Sequence, residues 1–275
     1  MEKDIAIVYM VAGLSSRFGG KIKQLIKIGP KNETLIEYSL NQAINAGITK
    51  IIFIVGEKTE QPFKELFKEN YQGISVYYAL QTYNKKERDR PWGTLDALIS
   101  AKNILNQPFI VCNGDDIYGE KTFEILVSHL KENSYGATIG YKLIDVIPEK
   151  GSVHRAIFET NENGNVKTLT EIFNINKSEV SNKNLGQDAL CSMNIFALYP
   201  GTLNLLEKKL KDFKKQNKNS KTAEALLPNE ISKLTEKNSI KLKLYLASDK
   251  WFGVTNPEDE EIVREVLRNQ FQTNL

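Results

Sequence analysis

The chain is poor in the residues on which disulfide frameworks and histidine-based sites depend. It has only two cysteines and two histidines in 275 residues. Cys112 and Cys191 both lie in apolar runs, which predicts buried, reduced thiols in a cytoplasmic protein. His129 and His154 stand near no cysteine or serine arrangement, so we expect surface histidines and neither a catalytic triad nor a zinc site.

Long hydrophobic runs and an excess of one charge are also missing. No run approaches the roughly 20 apolar residues of a membrane span. The apolar stretch from Ile5 has only about seven residues and no cleavage site after it, so we interpret it as a strand and not as a signal peptide. The 37 basic residues are nearly balanced by 34 acidic ones, with a net charge of +3. This balance predicts no nucleic-acid partner and no membrane partner.

The sequence does contain a regular alternation of strand and helix patterns. Apolar runs such as "DIAIVYMV" and "KIIFIVG" are typical of strands that are covered on both faces. Between them lie segments with helical spacing, the first of which opens with a capping box formed by Thr34 and Glu37. The alternation predicts an α/β protein with a Rossmann-like, doubly wound, mostly parallel mixed sheet.

The second half of the chain has a different character. It is rich in strands, has a hairpin signal at residues 161–165 and a polar segment at 174–188 that we interpret as an exposed loop, and ends in helices. One of these helices is predicted to begin near Thr222. Because no linker separates the halves, we expect one domain of residues 1–275, made of a first part (1–134) and a strand-rich second part (135–275).

The loop after the first strand, "YMVAGLSSRFGGKIKQL" (residues 9–25), is unusually rich in glycine and cations. Glycines such as Gly13 allow backbone N–H groups to approach phosphate oxygens, and Arg17, Lys21 and Lys23 could neutralise the phosphate charge. The pattern is neither a Walker A loop nor a GxGxxG fingerprint. A flexible loop with surface cations would have the same composition, so the loop alone leaves both interpretations open.

Other polar residues follow later strands, where α/β sheets bind their ligands. In "NGDD", Asp115 is a candidate ligand for Mg²⁺, and Asp116 is interpreted as a turn or helix-cap residue. In "PWGTLDAL", Gly93 could let a flat base lie against the backbone, and Thr94 could contact a ligand, although capping of its helix is the more usual role. The amide of Gln81 could offer both a donor and an acceptor to a base edge.

Taken together, these segments resemble the nucleotidyltransferases of the nucleotide-sugar pyrophosphorylase type, the sugar-phosphate nucleotidyltransferases. "VAGLSSRFGGKIKQ" resembles the glycine-rich signature of that family, "PWGTLDAL" its base-contacting helix start, and "NGDDIYG" its metal-aspartate segment. "SMN" and "WFGVT" resemble later segments of one branch. The motifs occur in the family's order over nearly the whole chain.

The resemblance implies a division of roles between the two parts of the chain. Residues 1–134 would bind the nucleotide, with Arg17 and Lys23 in catalytic contact with the triphosphate and Asp115 holding Mg²⁺. Residues 135–275 would bind the acceptor. The other implied contacts are with the nucleotide, by Ala12, Gly13, Ser15, Gln81, Gly93 and Thr94, and with the acceptor, by Glu171 and Asn194.

The resemblance also implies a reaction. A nucleoside monophosphate would pass from a pyrimidine nucleoside triphosphate to a phosphorylated small molecule, such as a sugar phosphate, and pyrophosphate would be released. The attacking phosphate has its second pKa near 6 and is mostly a dianion at neutral pH, so no general base is needed. The base, the acceptor and the oligomeric state are not specified by the sequence.

Two departures from the family pattern leave other functions open. Gly253 stands where a second metal aspartate is expected; Asp249 or Asp259 could replace it, or one carboxylate could suffice. The segment "TEIFNI" offers no lysine for the acceptor phosphate. The alternatives are a glycosyltransferase on a similar sheet and a nucleotide-binding sensor without catalysis. A glycosyltransferase would usually carry an Asp-x-Asp metal pair, whereas Asp115 and Asp116 are adjacent.

Overall fold

The computed structural model describes residues 3–13, 19–148, 151–177, 180, 185–186, 188–254 and 259–273. The strands are β1 (Ala6–Met10), β2 (Lys50–Val55), β3 (Asn70–Tyr71), β4 (Ile74–Leu80), β5 (Phe109–Asn113), β6 (Asp116–Ile117), β7 (Gly136–Lys142), β8 (Val153–Thr160), β9 (Val166–Ile175), β10 (Leu190–Leu198), β11 (Leu242–Leu246) and β12 (Phe252–Gly253). The helices are α1 (Leu35–Asn45), α2 (Glu60–Phe67), α3 (Thr94–Ser100), α4 (Glu120–Glu132), α5 (Pro200–Gln216), α6 (Leu227–Glu236) and α7 (Asp259–Thr273).

A ten-stranded sheet forms the centre of the described structure, and the order of its main path is β11-β7-β10-β5-β1-β2-β4-β3. Strand β1 pairs in parallel with β2 and β5, and β2 pairs in parallel with β4. Strand β10 is antiparallel to both β5 and β7, and it also holds the β8–β9 hairpin through β8. The predicted mixed, mostly parallel sheet is therefore confirmed, and strands from both parts of the chain belong to it.

Helices cover both faces of this sheet, which explains the continuous apolar pattern of its central strands. Alternate residues of β1 enter two different cores: Ile7 and Tyr9 lie in one, Ala6 and Val8 in the other. Helices α1, α2 and α4 contribute to the first core, and α3, α5 and α6 to the second. A strand between two apolar layers needs apolar side chains on both faces.

Several local predictions are confirmed. The hydroxyl of Thr34 accepts from the Glu37 backbone N–H, and the Glu37 carboxylate accepts from Thr34, so the capping box of α1 is complete. The hairpin turn joins β8 to β9, with Gly164 at φ 67°. Cys112 and Cys191 are buried free thiols.

Among the described residues, no helix is long and apolar enough to cross a membrane.

One expectation is corrected, one element was not predicted, and one expectation is only partly covered by the described residues. Helix α6 begins at Leu227 and not near Thr222, because two long-range backbone hydrogen bonds engage Ala225: its N–H donates to the Trp92 carbonyl at 2.7 Å, and its carbonyl accepts from the Leu95 N–H at 3.0 Å. The small β6–β12 sheet carries no sequence signal that we recognised. The polar segment 174–188 lies partly outside the described residues.

His129 is not a surface histidine as expected, since it is only 2% exposed. Its ring lies between the Tyr245 hydroxyl, 3.0 Å from Nδ1, and the Tyr135 carbonyl, 2.8 Å from Nε2. Burial lowers the pKa of His129 below its ordinary value. The helical pattern of α4 did not reveal this, because β11, which supplies Tyr245, comes from the far end of the chain.

Candidate active site

Three segments that are far apart in the sequence meet at the carboxyl end of the central strands. The Lys23 ammonium forms an ion pair with Asp115 and donates to the Val254 carbonyl at 3.2 Å. The Val254 N–H lies 3.4 Å from the Asp115 carbonyl oxygen. The side chains of Lys23 and Asp115 are 17% and 26% exposed. Two residues that the sequence analysis assigned to one phosphate and metal site are therefore in direct contact, at a point open to solvent.

The first residues of the glycine-rich loop are held close to the sheet. The Ala12 carbonyl fills the space that a side chain at Gly56 would need, 2.7 Å from an ideal Cβ there. For Gly13, by contrast, no atom of the described residues lies within 4 Å of the position of an added Cβ. Ser15 and Arg17, which were predicted to contact the triphosphate, lie outside the described residues.

The far end of the loop leads Lys23 into the site. Gly19 and Gly20 have φ values of 60° and 86°, a region that glycine adopts without strain. A short 3₁₀ helix, Lys23–Leu25, follows them. Lys21 is exposed, whereas Lys23 is partly buried against Asp115. The two lysines therefore have different environments, which the loop composition alone did not reveal.

Asp116 was interpreted as a turn or helix-cap residue, and this interpretation is wrong. It begins strand β6, pairs with Gly253 and is 7% exposed. Its carboxylate accepts from the Asn113 amide at 2.9 Å and from the Tyr118 hydroxyl at 3.2 Å. Burial, and then the negative charge of Asp115, raises the pKa of Asp116 to about 7. A second full negative charge at this point is therefore unfavourable.

The acidic residue that caps α4 is Asp249. Its carboxylate accepts from the Thr122 N–H at 3.2 Å, within the first turn of α4. The N-cap residue itself is Gly119, at φ 92°, and a side chain there would collide with Asp249. Asp249, one of the two alternatives for a second metal ligand, thus has a structural partner. Asp259, the other, is the first residue of α7.

Gly253 has a steric explanation. A side chain at this position would collide with the Trp251 indole, and its Cβ would lie 3.1 Å from an Asp116 carboxylate oxygen. The glycine therefore allows the indole to lie against the β12 backbone. The described residues contain no group of three or more histidine, cysteine or acidic side chains arranged to hold a metal ion.

The predicted base-contacting segment is held by several hydrogen bonds and an ion pair. The Gln81 amide nitrogen donates to the Gly93 carbonyl at 3.1 Å and to an Asp96 carboxylate oxygen at 2.9 Å. Since both partners are acceptors, the amide nitrogen has to face them, and only the carbonyl oxygen of Gln81 is left for other partners. Asp96 also pairs with Lys214, 2.5 Å away.

Gly93 and Thr94 are placed differently from the sequence expectation. Gly93 is the N-cap of α3 at φ 95°, and an added Cβ would lie 2.6 Å from the Ala225 carbonyl. The space beside it is thus filled by Ala225 and is not open to a flat base on that side. Thr94 does not cap its own helix, so that prediction is wrong: its hydroxyl accepts from the Leu227 N–H at 2.9 Å, at the start of α6.

A polar cavity of about 250 Å³ lies beside Asp116. Glu171 of β9 and Asn194 of β10, the two predicted acceptor-binding residues, both line this cavity. Burial raises the pKa of Glu171, and the positive charges of His154 and Arg155 oppose this shift. The polar residues that line this cavity include Asn113, Asp116, Arg155, Glu171, Asn194 and Trp251.

A short hydrogen-bond relay crosses one wall of this cavity. The Asn194 amide donates to the Asn113 side-chain carbonyl at 2.6 Å, and the Asn113 amide donates to Asp116 at 2.9 Å. Asn194 sits where the β10–β7 register shifts and has φ 59°, a strained region for a residue with a side chain. Such strain is common at functional sites, where surrounding structure enforces it.

Sequence reasoning missed Arg155, Asn113 and the cavity role of Trp251. Arg155 lies in a strand whose alternation gives no special signal, and only the pairing of β8 with β9 and β10 brings it beside Glu171. Asn113 could have been found, since it directly precedes "GDD" at the end of a buried strand.

The fold matches that of several solved nucleotide-transferring enzymes. A UDP-glucose pyrophosphorylase complexed with UDP-glucose superposes with a TM-score of 0.67 at 14% identity, over 97% of this chain and 99% of that one. The inositol-1-phosphate CTP transferase from T. maritima gives 0.67 at 16% identity, over 97% and 96%. A CTP:phosphocholine cytidylyltransferase from Streptococcus pneumoniae gives 0.64 at 14% identity, over 96% and 99%. These similarities establish a shared fold.

The sequence comparisons identify the family. The low-salt glycan biosynthesis nucleotidyltransferase Agl11 of Haloferax volcanii is 26% identical over 166 residues, which is 58% of this chain and 43% of the relative. The match thus spans less than half of that curated protein. A family model described as nucleotidyl transferase matches residues 19–259, which is nearly the whole chain and includes Lys23, Asp115 and Val254. The chain therefore belongs to the nucleotidyl transferase family.

Proposed function

We propose that this chain transfers a nucleoside monophosphate from a pyrimidine nucleoside triphosphate to a phosphorylated small molecule and releases pyrophosphate. The observation that carries the proposal is the contact between Lys23 and Asp115 beside a polar cavity. The solved structures with this fold are named for UDP-glucose, inositol 1-phosphate and phosphocholine, which supports a pyrimidine nucleotide and a phosphorylated acceptor. The buried free thiols fit an enzyme of the cytoplasm.

We assign Asp115 as the protein ligand of Mg²⁺. Its carboxylate is partly exposed and already accepts a cationic partner, Lys23. The lack of a three-ligand cluster among the described residues fits this ion, because Mg²⁺ often takes one or two carboxylates and completes its shell with water and phosphates. When bound, the ion would neutralise charge on the triphosphate.

In this proposal the protein acts by positioning and by charge. Lys23, and Arg17 in the loop outside the described residues, stabilise the negative charge that develops on the leaving pyrophosphate. Glu171 and Asn194 orient the acceptor so that its phosphate oxygen faces the α-phosphorus. The acceptor phosphate is mostly a dianion at neutral pH, so its oxygen attacks without a general base.

The nucleotide would lie between the opening loop, with Ala12, Gly13 and Ser15, and the start of α3. Gln81 would accept a hydrogen bond from a base N–H, since its amide nitrogen is already engaged. Replacing it by alanine should change the ranking of the triphosphates more than the turnover of the best one, because a mismatched polar group would otherwise stay unpaired. A uniform loss with the ranking unchanged would count against this role.

A pyrophosphate-release screen tests the proposal. CTP, UTP, dTTP and ATP are each combined with glucose 1-phosphate, inositol 1-phosphate or phosphocholine, with and without Mg²⁺. We expect release only when a pyrimidine triphosphate, an acceptor and Mg²⁺ are all present. Triphosphate binding without release under any combination would favour a nucleotide sensor. A separate incubation with UDP-glucose in place of the triphosphate tests the glycosyltransferase alternative, which consumption of UDP-glucose without pyrophosphate would favour.

A further inference from the structure

The cavity beside Asp116 holds an unusual concentration of polar atoms without partners. Six buried side-chain polar atoms of the described residues make no hydrogen bond, and three of them belong to residues that line this one cavity. They are Arg155 Nε, Trp251 Nε1 and Asn194 Oδ1. A buried polar atom without a partner costs about 1–3 kcal/mol, so native proteins rarely leave several together unless something else satisfies them.

Arg155 carries a positive charge that interacts electrostatically with the carboxylates of Glu171 and Asp116 but forms no direct ion pair with either. Its Nη1 donates to the His154 carbonyl at 3.0 Å and its Nη2 to the Val146 carbonyl at 3.2 Å, and both acceptors are neutral. Within the described part of the chain, no carboxylate forms an ion pair with it. Burial lowers the pKa of Arg155, which reflects the cost of holding the charge there. A buried guanidinium with spare N–H groups is a natural partner for an oxyanion.

Trp251 places a second donor near the first. The Arg155 guanidinium carbon lies 5.6 Å from the centre of the Trp251 ring. The indole N–H can only donate, so its missing partner must be an acceptor. The absence of a side chain at Gly253 is what allows the indole to occupy this place. The wall thus presents two unpartnered N–H donors, one of which belongs to a cation.

Asn194 offers the opposite polarity. Its amide nitrogen is engaged with Asn113, so the free atom is the carbonyl oxygen, which can only accept. A ligand that satisfies all three atoms needs an anionic group for Arg155 and Trp251 and a hydroxyl or N–H for Asn194. Among the residues that line the cavity, Arg155 is the one fixed cation.

We propose that Arg155 and Trp251 bind the phosphate group of the acceptor, with Arg155 Nε and Trp251 Nε1 as the donors, while Asn194 accepts from a hydroxyl of the same molecule. The proposal rests on the function proposed above and adds the residues that select its acceptor. In this proposal Arg155 of β8 provides the positive charge for the acceptor phosphate, because the segment "TEIFNI" in β9 contains no lysine that could do so.

The first test does not depend on turnover. The chain has two tryptophans, so ¹H–¹⁵N spectra should show two indole signals, and Trp251→Phe assigns them. Titration with inorganic phosphate, against sodium chloride of equal ionic strength, should move the Trp251 signal and leave Trp92 in place. In Arg155→Gln the movement should be lost. A Trp251 signal that does not move, or that moves equally in Arg155→Gln, overturns the proposal.

The second test uses the acceptor and triphosphate that give the highest turnover in the screen. Arg155→Gln should raise the KM for the acceptor by about 10- to 100-fold, the scale for losing a hydrogen bond to a charged group. The KM for the triphosphate should stay within about twofold, and Arg155→Lys should recover part of the loss. Arg268→Gln, on an exposed arginine of α7, is the matched control and should change neither KM.

The two tests separate the failure of this proposal from that of the proposed function. If the wild-type protein releases no pyrophosphate in the whole screen, the proposed function fails, and the indole spectra still decide whether Arg155 and Trp251 bind phosphate. If the wild-type protein turns over but Arg155→Gln raises both KM values equally or neither, the acceptor role of Arg155 is wrong while the function stands. Melting temperatures of both Arg155 variants identify any loss that is due to unfolding.

Discussion

Lys21 and Lys23 lie two positions apart, but only Lys23 reaches the carboxylate of Asp115. Replacing Lys23 by alanine should lower turnover by about 100-fold or more, the scale for removing a charge-stabilising donor. Lys21→Ala, on an exposed side chain, is the matched control and should keep most of the activity. Pyrophosphate release under saturating substrates measures both, and equal losses would show that the phosphate contact has been assigned to the wrong lysine.

Asp115 and Asp249 allow a similar comparison between a metal ligand and a helix cap. Asp115→Asn should abolish turnover and change the melting temperature little, since the side chain is partly exposed. Asp249→Ala should instead lower the free energy of unfolding by about 1 kcal/mol, because it removes the side-chain acceptor at the start of α4, and should leave Mg²⁺-dependent turnover near normal. Urea denaturation and the release assay distinguish the two. Near-normal activity of Asp115→Asn would remove the central assignment.

For single residues, the sequence allowed us to predict functional side chains that directly follow a strand. It did not reveal residues whose surroundings are created by the pairing of distant strands. Asp115 is visible because a carboxylate after a buried strand is rare and lies where α/β sheets bind ligands. Asp116 was misinterpreted because its burial depends on β12, and β12 has only two residues. Arg155 had no signal, since its site is made by residues from other strands.

At the scale of elements, Gly93 joins the start of α3 to the segment before α6. Gly93→Ala should lower the free energy of unfolding by more than about 1 kcal/mol, since φ 95° is strained for alanine and the Ala225 carbonyl occupies the space. Gly201→Ala is the matched control: Gly201 lies in the first turn of α5 with no atom within 4 Å of an added Cβ. That change should be neutral or stabilising by up to about 1 kcal/mol.

The two changes are compared by urea denaturation under identical conditions. Equal effects of Gly93→Ala and Gly201→Ala would mean that the contact with Ala225 does not constrain this junction. The same contact explains why the predicted start of α6 was wrong. The segment "TAEALLPNEISKL" does have helical spacing, but the backbone of Ala225 is hydrogen-bonded to Trp92 and Leu95, and these long-range contacts override the local pattern.

At the scale of the whole molecule, His129 links stability to pH. Its pKa in the folded protein is lowered by burial from 6.5, so the folded state keeps the ring neutral while the unfolded chain begins to take up a proton near that pH. The contribution of His129 to the free energy of unfolding should therefore fall as pH drops below about 6.5, by up to about 1.4 kcal/mol per pH unit until the folded ring also titrates. Above that pH this contribution is constant. The buried carboxyl of Asp116, whose pKa is raised, contributes with the opposite sign, so the His129 contribution is measured as a difference between two proteins.

His129→Gln keeps a polar side chain but cannot titrate. Urea denaturation of both proteins at pH 8 and pH 5 should give a stability difference that shifts in favour of the variant at the lower pH. A difference that is the same at both values would mean that His129 is not held neutral. Helix α4 and strand β11 meet at the His129 ring, so unfolding of either element exposes this side chain to water.

The parallel centre of the sheet could be predicted from the sequence, because its strands need apolar residues on both faces, and β1, β2 and β5 show this pattern. The order in which antiparallel β10 joins β5 to β7 could not, since no local pattern specifies a partner strand. The cavity depends on that order. Its residues could therefore be named only in part from the motifs.

The hydrogen bond from Lys23 to Val254 spans 231 positions of the chain. Contacts of such high contact order carry a large loop-closure cost and tend to slow folding. The parallel strands of the first part all lie before residue 114 and can pair with one another, whereas the Lys23–Asp115–Val254 cluster forms only when β12 pairs with β6. In refolding experiments, catalytic competence should thus appear later than the secondary structure of the sheet, and a chain emerging from the ribosome would be inactive until residue 254 has been made.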